Sequence, residues 1–132
     1  MNEDVARKWL KQARHDLELA EKIIEIKGYD IASFLAHQAV EKLLKSLLIA
    51  AGREVPRTHF IDELAHRLGV AEEVEFHING LTAEYTLARY PDVSDKVPYE
   101  QYSEAIAREK VRAAKKVFEM LRDRYAGILE EQ

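Results

Sequence analysis

The sequence predicts an all-α protein, an up-and-down four-helix bundle with one additional short helix. Apolar residues recur every three or four positions over four long stretches, which is the spacing of helices with one buried face. No stretch alternates polar and apolar residues as a half-buried strand does. The link between the first two stretches is short, and a short link makes neighbouring helices antiparallel. Residues 1–132 are therefore predicted to form a single helical domain.

The central stretch, residues 30–52, is predicted to be the helix around which the others pack. Asp30 is a suitable N-cap because its carboxylate can accept hydrogen bonds from free amides of the first turn. Gly52 is a suitable end because glycine readily adopts left-handed angles. Leu44 and Leu48 widen the apolar stripe, and so wide a stripe normally contacts more than one neighbour. We also expect this face to support a homodimer.

The flanking helices are predicted from similar signals. Residues 3–27 form the first helix, with Asn2 as its cap and Gly28 as its end. A short helix is expected over residues 59–68, with Thr58 as its cap and Gly69 as its end.

Two further helices are predicted in the second half of the chain. Apolar spacing continues over residues 71–87, so we expect one helix to pass through Asn79-Gly80 despite the turn signal of that pair. A loop of about a dozen residues with two prolines follows, and loops of that length are often functional. The final helix is predicted over residues 99–129.

The composition narrows the possible function classes. Apolar residues make up 47% of the chain and charged residues 33%, which is typical of a soluble globular protein. The net charge of −4 gives no general reason to bind nucleic acid or a membrane, although it allows a local basic patch. The absence of cysteine excludes disulfides and thiolate chemistry. With neither a signal peptide nor a membrane span in the sequence, we expect a cytoplasmic protein.

The run RYPD is a candidate ligand-binding segment. Arg89 offers a planar guanidinium suited to phosphate, and Tyr90 offers a ring on which a base can stack. The alternative is a rigid loop in which Arg89 pairs with Asp92 or Asp95.

A second candidate lies on the central helix. Polar residues spaced by four form one ridge, which with Gln38 and Lys42 could line a groove that holds phosphate: Ser33, His37, Glu41 and Lys45. The alternatives are a solvated face with a Glu41–Lys45 ion pair, or the seam of a dimer. None of the five histidines has convincing metal-ligand spacing, so no metal site or cofactor is predicted.

The run FLAHQAVEKLLKSLL resembles the signature helix of the HEPN family; the matching residues are Phe34, Gln38, Ala39, Glu41, Lys42 and Lys45. The resemblance extends to Trp9 and Ala13, to PRTH and to ARYPD, and so covers nearly the whole chain. The chain is most similar to small stand-alone HEPN proteins that act beside a minimal nucleotidyltransferase, often as toxin–antitoxin pairs. This resemblance implies nucleotide binding, for which we select Arg89, Tyr90, Lys42, Lys45 and His37.

Many HEPN proteins are metal-independent RNases whose motif is an Arg followed by a His after four to six intervening residues, near the start of the last long helix. Only Arg53 and His59 have that spacing here, and they follow the central helix instead. The resemblance therefore leaves three hypotheses. The chain is a nucleotide-binding module paired with a nucleotidyltransferase, a toxin RNase that uses Arg53 and His59, or a purely structural antitoxin or scaffold.

Overall fold

The computed structural model describes residues 2–130, which form eight helices and no strand. The helices are α1 (Asn2–Glu25), α2 (Tyr29–Ala50), α3 (Ile61–Leu68), α4 (Ala71–Ile78), α5 (Glu84–Leu87), α6 (Pro98–Gln101), α7 (Glu104–Met120) and α8 (Arg122–Glu130). The all-α prediction is confirmed. The described chain divides into more and shorter helices than the predicted four long ones and one short one. No helix in residues 2–130 is both long enough and apolar enough to span a membrane.

Helix α2 lies at the centre of the fold and packs against α1, α3 and α7. It runs antiparallel to α1, since Trp9 lies beside Lys45 while Asp16, further along α1, reaches back to Lys42. Its wide apolar stripe is enclosed by these neighbours, and Leu44 and Leu48 are fully buried within the single chain. This stripe therefore needs no second copy to cover it, and the homodimer stays a prediction.

The predicted end of α2 is confirmed at its C-terminus, whereas the predicted N-cap is not. Gly52 has a φ of +72°, the left-handed conformation expected of it. The predicted N-cap is wrong, because α2 begins at Tyr29, Gly28 is the N-cap and Asp30 lies within the first turn. An acidic residue at that position still favours the helix because it faces the positive end of the dipole.

Helix α1 ends through Lys27, which has a φ of +67°, and not through a left-handed Gly28. The amide of Gly28 donates to the carbonyl of Ile23 over 3.0 Å and closes the helix end. A Cβ at Gly28 would lie 2.5 Å from Cγ2 of Ile23, so glycine provides room for the turn. The α1 N-cap position lies outside the described residues, because the helix begins at Asn2 itself.

The short third helix begins two residues later than predicted. Phe60 is its N-cap, and Thr58 Oγ1 instead accepts a hydrogen bond from the Phe60 amide over 3.1 Å. Gly69 ends the helix with a φ of +84°, as predicted.

The predicted helix over residues 71–87 is wrong. Helix α4 ends at Ile78, a turn follows through Asn79-Gly80, and the separate one-turn helix α5 begins at Glu84. Leu81 is fully buried within the turn, so the apolar spacing persists where the helix does not. The turn chemistry of Asn-Gly therefore dominates over the continuous apolar pattern.

The predicted helix over residues 99–129 is also divided. Ser103 caps α7, its Oγ accepting from the Ile106 amide over 3.2 Å, so the long helix begins only at Glu104. The fully buried Leu121 separates α7 from α8. The preceding loop contains the one-turn α6, which starts at Pro98 because proline suits the first helical position.

Candidate functional site

The one-turn helix α5 brings an aromatic side chain against the central helix. We refer to four residues as the Tyr85 cluster: His59, Tyr85, Arg89 and Tyr90. The imidazole of His59 stacks on the ring of Tyr85, with centroids 3.9 Å apart and planes 9° apart. Nη1 of Arg89 donates to the Tyr85 hydroxyl over 2.7 Å. His59, from the loop before α3, and Arg89 and Tyr90, which follow α5, therefore surround the ring of Tyr85.

Arg89 is the exposed cation of this cluster. Its Cζ atom lies 5.1 Å from the ring centroid of Tyr85 and 5.3 Å from that of Tyr90. In the described chain it forms no ion pair with Asp92 or Asp95, so the rigid-loop alternative is not what the structure shows. Its guanidinium therefore keeps donors available for an anion. Partial burial raises the pKa of Tyr85, against the opposing effect of Arg89, so the hydroxyl remains protonated at neutral pH.

His59 is held from behind by a buried carboxylate. Its Nδ1 atom lies 3.1 Å from Oε2 and 3.2 Å from Oε1 of Glu41. The His59 side chain is 49% exposed, whereas that of Glu41 is 4% exposed. Because an ionised carboxylate only accepts, Nδ1 carries the proton and Nε2 is left as the basic nitrogen. This is the arrangement of an imidazole oriented by a carboxylate.

The polar ridge of the central helix is buried, and it is not the solvated face considered as an alternative. Glu41 accepts from Lys45 Nζ over 2.9 Å, as the spacing predicts, and from Gln38 Nε2 over 3.3 Å. Ser33 Oγ donates to the carbonyl of Tyr29 over 2.9 Å and so takes no part in the site. We refer to Glu41 with Gln38, Lys45 and His37 as the Glu41 network.

His37 is fully enclosed beneath the Tyr85 cluster. Burial lowers its pKa from 6.5 to about 4, although the nearby Glu41 carboxylate opposes the shift. Its Nδ1 atom lies 3.4 Å from Nε2 of Gln38, and its Nε2 atom has no hydrogen-bond partner within residues 2–130. His37 is therefore neutral and supports the site from within.

The predicted nucleotide-binding residues are thus only partly brought together. Arg89 and Tyr90 share one exposed cluster, with Lys45 and His37 buried behind it. Lys42 faces α1, where its Nζ lies 2.5 Å from Oδ2 of Asp16. Lys42 and Lys45 are therefore neutralised by carboxylates.

The structure does not bring together the predicted catalytic pair. Nη1 of Arg53 donates to the main-chain carbonyl of Arg67, and no hydrogen bond or ion pair in the described chain joins Arg53 to His59. The arginine that shares a contact surface with His59 is Arg89, through the ring of Tyr85. Tyr85 lies within the stretch 71–87 whose apolar spacing predicts a helix, and it is not among the predicted site residues. Its spacing of four from Arg89 was the available signal.

A second buried carboxylate fixes α5 to α7. Glu84 accepts from the hydroxyl of Tyr102, and its Oε1 lies 3.2 Å from Nζ of Lys110. Lys110 also donates to the carbonyl of Gly80 over 2.5 Å. Burial and the hydrogen bond to Glu84 raise the pKa of Tyr102. These bonds hold the helix that carries Tyr85 in place.

A family model described as the HEPN domain matches residues 6–124, and the chain therefore belongs to the HEPN family. The structure of TT1696 from Thermus thermophilus superposes with a TM-score of 0.84 at 32% identity, covering 94% of this chain and 99% of that one. ST0689, described as an archaeal HEPN homologue, gives 0.75 at 34% identity, covering 93% and 97%. A Methanocaldococcus jannaschii protein named "Putative toxin MJ1304" is 25% identical over 89% of this chain and 86% of its own length.

Proposed function

We propose that this chain is a toxin-like HEPN protein that binds a nucleotide at the Tyr85 cluster and acts with a minimal nucleotidyltransferase in a toxin–antitoxin-like pair. The observation that carries the binding role is the exposed guanidinium of Arg89 beside the rings of Tyr85 and Tyr90. The toxin-like role is supported by the name of the archaeal relative. The nucleotidyltransferase partner follows from the resemblance to small stand-alone HEPN proteins.

The chemistry of the cluster fits a nucleotide in two ways. A guanidinium presents paired donors to phosphate oxygens, and the exposed ring of Tyr90 beside it offers a face for a base. Arg89 already donates to Tyr85, which fixes the direction of its guanidinium before a ligand arrives. The net charge of −4 does not oppose this local site, because the carboxylate that contacts His59, Glu41, is already bonded to Lys45.

Calorimetric titration with ATP tests the binding role. We expect saturable binding by the wild-type chain and roughly tenfold or greater loss of affinity in Arg89→Gln, the scale of a lost charge-assisted hydrogen bond. Arg108→Gln is the matched control, because Arg108 is an exposed arginine whose ion pair is with Glu104. If ATP fails to bind the chain both alone and with its partner, the ligand role is wrong and the scaffold hypothesis gains.

The pairing is tested in cells and by co-purification. Expression of this chain alone should arrest growth, and co-expression of a nucleotidyltransferase encoded beside it should restore growth. Tagged chain should also retain that protein during purification. Unimpaired growth together with no retained partner would contradict the toxin–antitoxin proposal.

RNA cleavage is the second candidate function, and the position of His59 favours it. Its Nε2 atom can take the proton of a ribose 2′-hydroxyl, while the Arg89 guanidinium stabilises the charge that develops on the adjacent phosphate. The 2′-oxygen then forms a bond to phosphorus as the bond to the 5′-oxygen breaks, and the imidazolium of His59 or a water molecule gives a proton to the departing 5′-oxygen. Glu41 would keep the imidazole in the required tautomer.

The cleavage assay uses RNA incubated with the chain in the presence of a chelator. We expect His59→Asn and Arg89→Gln to abolish cleavage, and Arg53→Gln to leave it unchanged because Arg53 is bonded to the carbonyl of Arg67. Cleavage that survives both of the first two changes, or that requires Arg53, would show that these residues are wrongly assigned.

A further inference from the structure

A recess of about 300 Å³ lies between α1 and α2, outside the Tyr85 cluster. Lys8, Trp9 and Gln12 of α1 line it together with Lys42 of α2. Small-molecule sites span roughly 300–1,000 Å³, so this recess has room for one flat group and little more. Trp9 is the aromatic residue of this lining, and it is half-buried.

The recess and the Tyr85 cluster flank the same stretch of the central helix. The indole of Trp9 lies 5.7 Å from Nζ of Lys45, which donates to Glu41 over 2.9 Å. Glu41 lies 3.1 Å from Nδ1 of His59, whose ring stacks on Tyr85 at 3.9 Å. A continuous series of side-chain contacts therefore joins the two sites through the buried Lys45 and Glu41, and the half-buried Gln38 and Lys42 lie on the same stretch of α2.

The unpaired positive charges at the recess and at the Tyr85 cluster suit a ligand with several negative charges. Lys42 and Lys45 are neutralised by Asp16 and Glu41. Lys8 and Arg89 are both exposed and have no carboxylate within ion-pair distance in the described part of the chain; Lys8 lines the recess with Trp9, and Arg89 lies beside the ring of Tyr90. An aromatic face beside a free cation, repeated along one surface, is the pattern with which proteins bind single-stranded nucleic acid.

We propose that the Trp9 recess is a second base-binding subsite and that the ligand is a single-stranded oligonucleotide lying across α2. One base stacks on Trp9 with Lys8 near a phosphate, and another base lies at the Tyr85 cluster with Arg89 near its phosphate. This inference rests on the proposed function, because the Tyr85 cluster supplies the first subsite.

The dependence of affinity on oligonucleotide length is the test. The probes are AMP and 2′-O-methylated oligoadenylates of increasing length, which resist cleavage through the 2′-oxygen. Trp9 is the single tryptophan of the chain, so its fluorescence reports directly on the recess. We expect AMP to bind at the Tyr85 cluster without quenching, and the longer probes to quench Trp9 and bind roughly tenfold or more tightly, as one added stacked base implies.

Variants measured by calorimetry separate the two subsites. We expect Trp9→Leu to reduce oligonucleotide affinity to that of AMP and Trp9→Phe to retain most of the gain. Phe76→Leu is the matched control, because Phe76 is an aromatic residue on α4 that is 85% exposed. Lys8→Gln changes an exposed side chain that should not affect folding, and we expect it to weaken only the longer probes and to reduce their salt dependence.

The outcomes separate failure of the subsite from failure of the proposed function. Affinity that does not change with length, with no quenching of Trp9 and AMP binding still lost in Arg89→Gln, would overturn the subsite alone. Absence of binding by AMP, ATP and every oligoadenylate would overturn both. Length-dependent binding that Trp9→Leu and Lys8→Gln leave unchanged would also overturn the subsite.

Discussion

Two carboxylates of this chain, Glu41 and Glu84, are each only 3% exposed, and each forms an ion pair with a lysine. Their remaining partners differ, and so do their roles. Glu41 lies in the long central helix. Besides Lys45 and Gln38, it is bonded to His59, whose side chain is about half exposed. Glu84 lies in a one-turn helix, and its remaining partner is the hydroxyl of Tyr102. The first carboxylate orients a group that a ligand can reach, whereas the second joins two segments of chain.

This difference shows how similar ion pairs serve opposite purposes. A buried carboxylate must be bonded, since an unpaired charge in the interior is strongly destabilising. Around Glu84 the bonds end within the protein, so their removal should affect folding. Around Glu41 they end at an exposed imidazole, so their removal should affect binding as well. Each prediction below tests one side of this contrast.

The largest expected effect is on stability, in Glu84→Ala. The change leaves the ammonium of Lys110 and the hydroxyl of Tyr102 without their shared acceptor, and breaking a buried pair in this way costs about 3–4 kcal/mol. Urea denaturation measures the loss in the free energy of unfolding. Glu104→Ala is the control, because it removes an exposed ion pair with Arg108 and should change stability by less than about 1 kcal/mol. Equal losses in the two variants would refute the assigned role of Glu84.

The next effect concerns pH and the imidazole buried behind Glu41. The pKa of His37 is lowered from 6.5 to about 4 by burial, so the unfolded chain binds more protons than the native chain in that interval. The free energy of unfolding should therefore fall as pH falls from 6.5 to about 4, by about 2–3 kcal/mol from this residue.

The measurement compares wild type with His37→Gln at the two ends of that interval. We expect the variant to lose this part of the pH dependence, while His15→Gln, which changes an exposed histidine, keeps it. An unchanged pH profile in His37→Gln would show that the buried imidazole does not titrate as described.

The smallest effect distinguishes two tyrosine hydroxyls. Tyr102→Phe removes the donor to Glu84 and should lower the free energy of unfolding by about 1 kcal/mol, with ATP affinity unchanged. Tyr85→Phe removes the acceptor of Arg89 and should weaken ATP binding while changing stability by less than about 0.5 kcal/mol. The opposite assignment of the two effects would contradict the roles given to the two tyrosine hydroxyls.

The helix ends that could be predicted from the sequence are those determined by the conformational preference of a single residue. Gly52 and Gly69 end their helices in left-handed conformations as predicted, because that preference belongs to the residue itself. The errors lie where local signals compete. Apolar spacing favoured one helix through Asn79-Gly80, and the turn formed instead. That break matters for the site, because the separate helix α5 carries Tyr85, and Arg89 follows two residues after this helix ends.

The candidate site was predictable only in its separate parts. RYPD identified Arg89 and Tyr90, and the central helix identified Glu41 and Lys45. No hydrogen bond or ion pair joins Arg53 to His59 within residues 2–130, because distance along the chain does not determine which side chains share a surface. The juxtaposition of His59 with Arg89, which are thirty residues apart, arises only when α5 packs against α2.

The sequence by itself determined that this chain is helical, that residues 30–52 form its centre, and that it resembles HEPN proteins. Helix periodicity, capping and family motifs are properties of short segments, so they can be recognised without coordinates. Only the tertiary structure determined that the polar ridge of α2 is buried, that Lys42 forms an ion pair with Asp16, and that His59 stacks on Tyr85. Those outcomes depend on long-range packing, because a side chain is buried or exposed according to which distant segment covers it.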